Sequence, residues 1–244
     1  MANYKLTIEY DGLKFNGWQK QKATANTIQE QIEISLEKLL KQNIRIIGSG
    51  RTDAGVSAFN QVANFHFEGE FDKSKLKYSL NSILPSEITI KNIQKAGSDF
   101  HARFSAIKRQ YVYKICLDKR SIRGNEFYKI NFVPDVTEIN KFLDFIKKHD
   151  KFRSFCKNKD DKHDFECNVS EFDLKYKNVK RELIFTITSS RFLHSMVRAL
   201  IGCALEVGRG KLKLNEIKDK IRKGEKIRIH FLPANALFLN KIYY

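Results

Sequence analysis

The chain has 244 residues, enough for one large domain or two small ones, and at 42% hydrophobic and 30% charged it can bury a proper core and stay soluble. Forty-five Lys and Arg against 28 Asp and Glu leave a net charge of +17, which argues against a neutral housekeeping role and for a polyanionic partner, nucleic acid before an anionic membrane surface. The four cysteines (Cys116, Cys156, Cys167 and Cys203) show no Cys-x-x-Cys spacing, and no apolar run is long enough to cross a bilayer. A reduced cytoplasmic protein with no structural zinc, no signal peptide and no membrane association is therefore expected. Aromatic residues make up 12% of the chain, which tilts the choice of polyanion toward RNA, where rings can stack on unpaired bases.

In chain order, Tyr4, Leu6, Ile8 and Tyr10 alternate with polar residues and predict a half-buried strand. A loop from Gly12 to Asn26 carries Trp18 and several lysines. Thr27 and Glu30 form a capping-box signature for a helix with Ile28, Ile32, Leu36, Leu39 and Leu40 on its apolar face. A short buried strand is expected over Ile44–Ile47. Ala63, Phe65 and Phe67 alternate with Asn64 and His66 in another strand, with His66 toward solvent and a poor ligand candidate. Leu76, Leu80, Ile83 and Leu84 give a helix begun by Asp72 and stopped at Pro85, and Ile88, Ile90 and Ile93 an outer strand.

The loop from Gly97 to Ser105 is the expected domain boundary, leaving residues 1–105 as an N-terminal lobe and 106–244 as a C-terminal one. The second half opens with the strand Tyr111–Ile115. A helix follows, with Ile139, Phe142, Leu143 and Ile146 on one face. The charged, aperiodic stretch from His149 to Glu166 reads as a mobile loop. Two hairpin-like strands come next, around Phe172–Tyr176 and Leu183–Ile187. A helix from about Leu193 to Val207, a short helix around Leu214–Ile221 and a strand over Ala236–Tyr243 complete the chain. Strands alternating with helices, two helices per half, predict an α+β fold of two lobes whose sheets join edge to edge.

The stretch Gly48-Ser49-Gly50-Arg51-Thr52-Asp53-Ala54-Gly55-Val56 follows the Ile44–Ile47 run and sets one cation and one carboxylate two residues apart in a glycine-rich, tightly shaped loop. In an extended loop, positions i and i+2 share a side. On spacing alone, a strand-end turn with a surface ion pair fits these residues as well as a reactive site does. No His, Cys, Asp or Glu cluster in the chain has metal-ligand spacing.

This loop resembles the active-site loop of the bacterial tRNA pseudouridine synthase A family. The resemblance extends to Tyr10-Asp11-Gly12 with Phe15 and Gly17-Trp18-Gln19, to Phe100-His101-Ala102-Arg103-Phe104-Ser105-Ala106 leading into Arg109-Gln110-Tyr111-Val112-Tyr113, and to Phe192-Leu193-His194-Ser195-Met196-Val197-Arg198 with Gly202 and Glu206-Val207-Gly208. These motifs come in family order and span nearly the whole chain. They imply a pseudouridine synthase fold: two α/β lobes, a mixed and mostly antiparallel sheet, and an active-site cleft between the lobes. They also imply isomerisation of uridine to pseudouridine at positions 38, 39 and 40 of the tRNA anticodon stem-loop by a homodimer that needs no metal or organic cofactor.

The resemblance assigns roles residue by residue. Asp53 falls on the catalytic aspartate, a nucleophile toward C6 of the base or C1′ of the ribose. Tyr111 falls on the tyrosine that stacks on the flipped uracil and relays a proton, although a strand tyrosine also suits a core, and Tyr113 on the same face is the alternative register. Arg198, on an otherwise apolar helix, either pairs with a carboxylate, which the resemblance identifies as Asp53, or snorkels to solvent. Arg51 falls on the residue that fills the space of the flipped base, and Arg103 on a substrate-binding position. Three positions depart from the family pattern: Ser57 replaces a usual His, Ala236 a usual Gly, and Cys167-Asn168-Val169 lacks a usual Arg. Two other readings fit the composition. One is a basic RNA-binding module or tRNA chaperone in which the loop is structural, and the other is a sibling isomerase acting at other tRNA positions.

Overall fold

The computed structural model describes residues 1–157, 165–223, 225, 227–228 and 230–244. Its elements in chain order are β1 (Ala2–Tyr10), α1 (Ile28–Leu40), β2 (Ile47–Gly48), β3 (Ser57–Phe67), α2 (Lys73–Ile83), β4 (Ile88–Ala96), β5 (Lys108–Cys116), β6 (Tyr128–Lys129), α3 (Val136–Lys147), β7 (Val169–Lys177), β8 (Glu182–Ser189), α4 (Met196–Gly208), α5 (Leu214–Arg222) and β9 (Leu237–Tyr243). This is an α+β fold. The chain forms two compact units: Met1–Arg109 together with Phe238–Tyr244, and Gln110–Leu237. Among the described residues no helix is long and apolar enough to cross a membrane.

In the first unit β1 lies between β3 and β4, antiparallel to both, so its alternating Leu6 and Ile8 are sealed completely. Parallel pairing of β9 to β3 through Ser57↔Phe238 and Ala58↔Leu239 makes the sheet mixed. Helix α1 starts where the Thr27 hydroxyl accepts the Glu30 N–H, and it buries Ile28, Ile32 and Leu36. Helix α2 starts on Asp72, whose carboxylate accepts from the N–H groups of Ser74 and Lys75 at 2.8 and 2.9 Å. It ends where Leu84 turns extended ahead of Pro85.

Two expectations for this unit need correction. The Ile44–Ile47 run is not a strand of that length: only Ile47 and Gly48 pair, with Asn64 and Ala63 of β3. Ile44 and Ile46 are buried, but side chains of α1 take the backbone groups that a neighbouring strand would otherwise use. The Glu33 carboxylate accepts the Ile46 N–H at 3.0 Å, and Gln29 donates to the Ile46 carbonyl at 3.2 Å. Strand β3 also begins at Ser57 rather than near Ala63; His66 is exposed, while Asn64, the other polar residue of the alternation, is buried. Asn64 donates to Asn3 Oδ1 at 3.0 Å and accepts from the Ala102 N–H at 2.9 Å, while Asn3 donates to the carbonyls of Gly97 and Phe100. Buried amides therefore fasten the Gly97–Ser105 segment to the sheet of this unit.

In the second unit β5, β8 and β7 lie side by side, with β7 and β8 an antiparallel hairpin and β6 parallel to β5. Helix α3 covers β7 and α4 with Ile139, Phe142, Leu143 and Ile146, all essentially inaccessible. Helix α4 is buried on nearly every side, with only Arg198 and Glu206 half-exposed. A helix apolar all round belongs inside a core. It begins at Met196 rather than Leu193, because Ser195 takes a left-handed backbone (φ 59°) that breaks the helical path. The expected mobile stretch is packed at both ends. Phe152 and Phe155 are inaccessible, and Lys151 bridges to Glu166; the centre of that stretch, residues 158–164, lies outside the described residues.

All four cysteines are buried. Burial pushes the Cys203 thiol up to about 12 and raises Cys116 as well.

Asn64→Ala leaves the Ala102 N–H and the Asn3 side chain short of a partner inside the first unit. The expected loss is about 2 kcal/mol of stability, read as a lower urea midpoint with an unchanged slope.

Candidate active site

The loop that carries Arg51 and Asp53 is built by fixing the residues on either side of each. Ser49 donates its N–H to the Val62 carbonyl at 2.8 Å and its hydroxyl to Gln61 Oε1 at 2.6 Å, and Gln61 donates to the Gly50 carbonyl. Thr52 is buried: its hydroxyl shares a 2.8 Å hydrogen bond with the Tyr10 hydroxyl, and its carbonyl accepts the Trp18 N–H at 3.2 Å. The Val56 N–H then closes a turn onto the Asp53 carbonyl at 3.1 Å. Asp53 is left half-buried on a turn whose backbone is held before and after it.

This packing needs two residues without a Cβ. A methyl group on Gly12 would stand 2.0 Å from the Val56 carbonyl oxygen. One on Gly17 would stand 2.7 Å from the Thr52 carbonyl oxygen, and Gly17 also has φ +90°, a conformation strained for any residue with a side chain. The Gly12–Gln19 loop is thus seated directly on the Asp53 loop.

Arg51 is exposed, yet its direction is set. Its Nε donates to Gln19 Oε1 at 3.0 Å, Gln19 donates to Gln29 Oε1 at 2.8 Å, and Gln29 donates to Glu33 Oε1 at 2.9 Å. A polar relay therefore runs from the guanidinium to α1. Arg103 is exposed on the segment after β4. Arg109 anchors it: Nη2 donates to the carbonyls of Ser49 at 3.0 Å and Arg103 at 2.8 Å, and Nη1 to that of Ala106 at 3.0 Å. One guanidinium thus joins the start of the carboxylate loop to the Arg103 segment.

In the second unit the two tyrosines of β5 have different environments. Tyr113 is inaccessible and donates to the Pro233 carbonyl at 2.9 Å; burial raises its hydroxyl well above the usual range, opposed by the charge of Arg198. Tyr111 is half-buried and meets the Phe192 ring edge-on at 5.3 Å. Arg198 is half-buried, with its Nε on the Leu232 carbonyl at 2.6 Å. Ser57, one of the positions that depart from the family pattern, is buried in the first unit, where its hydroxyl accepts the Gly12 N–H at 3.0 Å. Among the described residues no group of three or more His, Cys, Asp or Glu is placed to hold a metal.

The family model described as tRNA pseudouridine synthase matches residues 6–105 and 147–244. The chain belongs to that family. Similar relatives are the tRNA pseudouridine synthase A proteins of Oenococcus oeni, 33% identical over 100% of this chain and 98% of the relative, and of Thermodesulfovibrio yellowstonii, 34% identical over 100% of both. Another, tRNA pseudouridine synthase A 2 of Bacillus cereus (strain ZK / E33L), is 36% identical over 99% of both chains. As a tRNA pseudouridine synthase the protein is an isomerase that acts on tRNA.

Two contributors to this synthase's loop were not assigned from sequence. Gln19 and Arg109 both sit in motifs that carry the family resemblance, but their polar side chains gave no sign of which carbonyl or guanidinium they would meet. Their partners are 32 and 60 residues away.

Gly17→Ala forces a left-handed alanine against the Thr52 carbonyl. The expected cost is about 1–3 kcal/mol of stability, with turnover reduced more than tRNA affinity. Thermal melting combined with a tRNA binding curve and a turnover assay checks the split.

Proposed function

We propose that the protein converts uridine to pseudouridine at positions 38, 39 and 40 of the tRNA anticodon stem-loop, with Asp53 as nucleophile. The observation that carries this reading is a half-buried carboxylate on a turn held by Thr52 and Val56, two residues from an exposed guanidinium aimed by Gln19. A fixed carboxylate suits a reaction in which the base must leave, turn and return, because covalent attack divides one hard step into easier ones.

In the proposed sequence the Asp53 carboxylate attacks C6 of the uracil or C1′ of the ribose, and the N1–C1′ bond breaks. The uracil rotates, and a C5–C1′ bond forms as the carboxylate is released. The proton on C5 leaves, and N1 gains one. The reaction is redox-neutral and the leaving group is retained, so no cofactor has to supply electrons. Arg51 occupies the space of the flipped uridine, which a long cation already oriented at its Nε by Gln19 can reach at little ordering cost. Tyr111 stacks on the uracil and relays a proton, Arg198 orients the carboxylate, and Arg103 contacts the RNA. The +17 charge supplies the phosphate contacts. The enzyme is proposed to work in the cytoplasm as a homodimer.

Nucleoside analysis of unmodified tRNA after incubation, with position mapping, tests the assignment. Pseudouridine at 38–40 is expected; conversion elsewhere indicates a sibling specificity, and an unchanged nucleoside content indicates a binding module.

Asp53→Asn keeps the size of the side chain and removes its charge. Turnover is expected to fall at least ~10³-fold while tRNA affinity survives, because affinity is spread over many phosphates. A variant that turns over at a rate comparable to wild type would end the proposed mechanism.

The homodimer is checked by sedimentation at micromolar concentration, where a single monomeric species would refute it.

A further inference from the structure

Phe104 is 77% exposed, yet the segment that presents it is held by hydrogen bonds along its length. His101 donates its N–H to the Ser105 hydroxyl at 3.0 Å, and Ser105 returns its N–H to the His101 carbonyl at 2.9 Å. The N–H groups of Arg103 and Phe104 both donate to His101 Nδ1 at 3.2 Å. Ala102 is buried, its N–H on Asn64 and its carbonyl on the Tyr244 hydroxyl at 2.9 Å, and burial of Tyr244 raises that hydroxyl above its usual range. The Arg103 carbonyl accepts from Arg109. A large apolar ring is therefore displayed on a stretch of backbone with little freedom left to lose.

The surroundings of the ring suit one kind of occupant. The His101 ring lies 4.3 Å from the Phe104 centroid at 31°, and the Arg103 guanidinium lies 5.5 Å from it. An aromatic surface flanked by an imidazole and a guanidinium offers stacking and cation–π attraction to a flat heterocycle, and positive charge to the phosphates on either side of it. Location supports the same occupant. A single atom, Arg109 Nη2, bonds the carbonyls of both Ser49 and Arg103, so this segment adjoins the start of the loop that carries Arg51 and Asp53.

We propose that Phe104, backed by His101 and Arg103, is a stacking platform for an unpaired nucleobase of the substrate RNA beside the target uridine, holding the stem-loop in register with Asp53. The inference rests on the reading that the Asp53 loop is the site of base isomerisation, and it adds a binding site for a second base. A preformed platform binds with little ordering cost, and stacking tolerates any base because every base presents a π-face.

The test uses the full chain, unmodified tRNA and two substitutions at an exposed ring, with thermal melting as the check that both variants fold. Phe104→Leu keeps an apolar side chain but loses the aromatic face. Its kcat/KM is expected to fall about 10- to 100-fold, mostly through KM, the range that follows from the loss of one base–aromatic stack. Phe104→Trp keeps the face and is expected to act within a few-fold of wild type. It also reports directly: the native Trp18 is buried, so quenching of a new tryptophan emission on adding tRNA marks a base on the platform. Placing Phe104→Trp in an Asp53→Asn background reads this contact without turnover. The proposal is overturned if Phe104→Leu matches wild type in both affinity and kcat/KM, if the new emission is unchanged at saturating tRNA, or if Phe104→Leu instead splits an assembly seen for wild type in sedimentation. If the wild-type protein makes no pseudouridine, the proposed function fails, while the binding and quenching measurements still decide this inference by themselves.

Discussion

The buried hydrogen bond between the Tyr10 and Thr52 hydroxyls, 2.8 Å long, is the contact on which the carboxylate loop depends. Tyr10 ends the strand sealed between β3 and β4, so its ring is positioned by the sheet and its hydroxyl is carried to a set point. Thr52 directly precedes Asp53, and its carbonyl is taken at the same time by the Trp18 N–H. A buried polar pair of this kind costs much if it is broken, because its hydroxyls lie away from water. Rigidity in the sheet is thereby passed to a residue that lies outside any strand.

A second constraint acts at the start of the loop. The Arg109 guanidinium gathers three carbonyls, from Ser49, Arg103 and Ala106, as its planar fork of donors permits. Behind it, the Asn3–Asn64 amide pair holds the Gly97–Ala102 backbone. The same arginine thus serves both the loop bearing Asp53 and the segment bearing Arg103 and Phe104. Ser57 fills another buried position of this unit with a small hydroxyl tied to the Gly12 N–H.

In the second unit, burial separates two residues that look alike in sequence. Tyr113 has a protonated hydroxyl held on Pro233, deep in the core. Tyr111, two positions earlier, is only partly buried and makes an edge-on contact with Phe192. Arg198 stands at one of the few points where α4 is not enclosed, so its charge need not be wholly desolvated.

The sequence alone determined the elements whose signals are local. Thr27, Asp72 and Pro85 mark helix ends because caps and proline act on their immediate neighbours, and the two-residue alternation in β1 follows from strand geometry. The Gly-Ser-Gly-Arg-Thr-Asp run was legible as a shaped loop with two charges, and the order of motifs along the chain pointed to the family. Tertiary structure decided the rest. Ile44–Ile47 is a good strand by composition, but Gln29 and Glu33 of α1 take the backbone groups of Ile46, and no local pattern encodes that competition. Asn64 reads only as a polar residue in an alternating strand until Asn3 and Ala102 come up against it. The same holds for Gln19 and Arg109. A side chain's identity is written in the chain, but the partner that gives it a task arrives from dozens of residues away, and only folding brings the two within reach of a hydrogen bond.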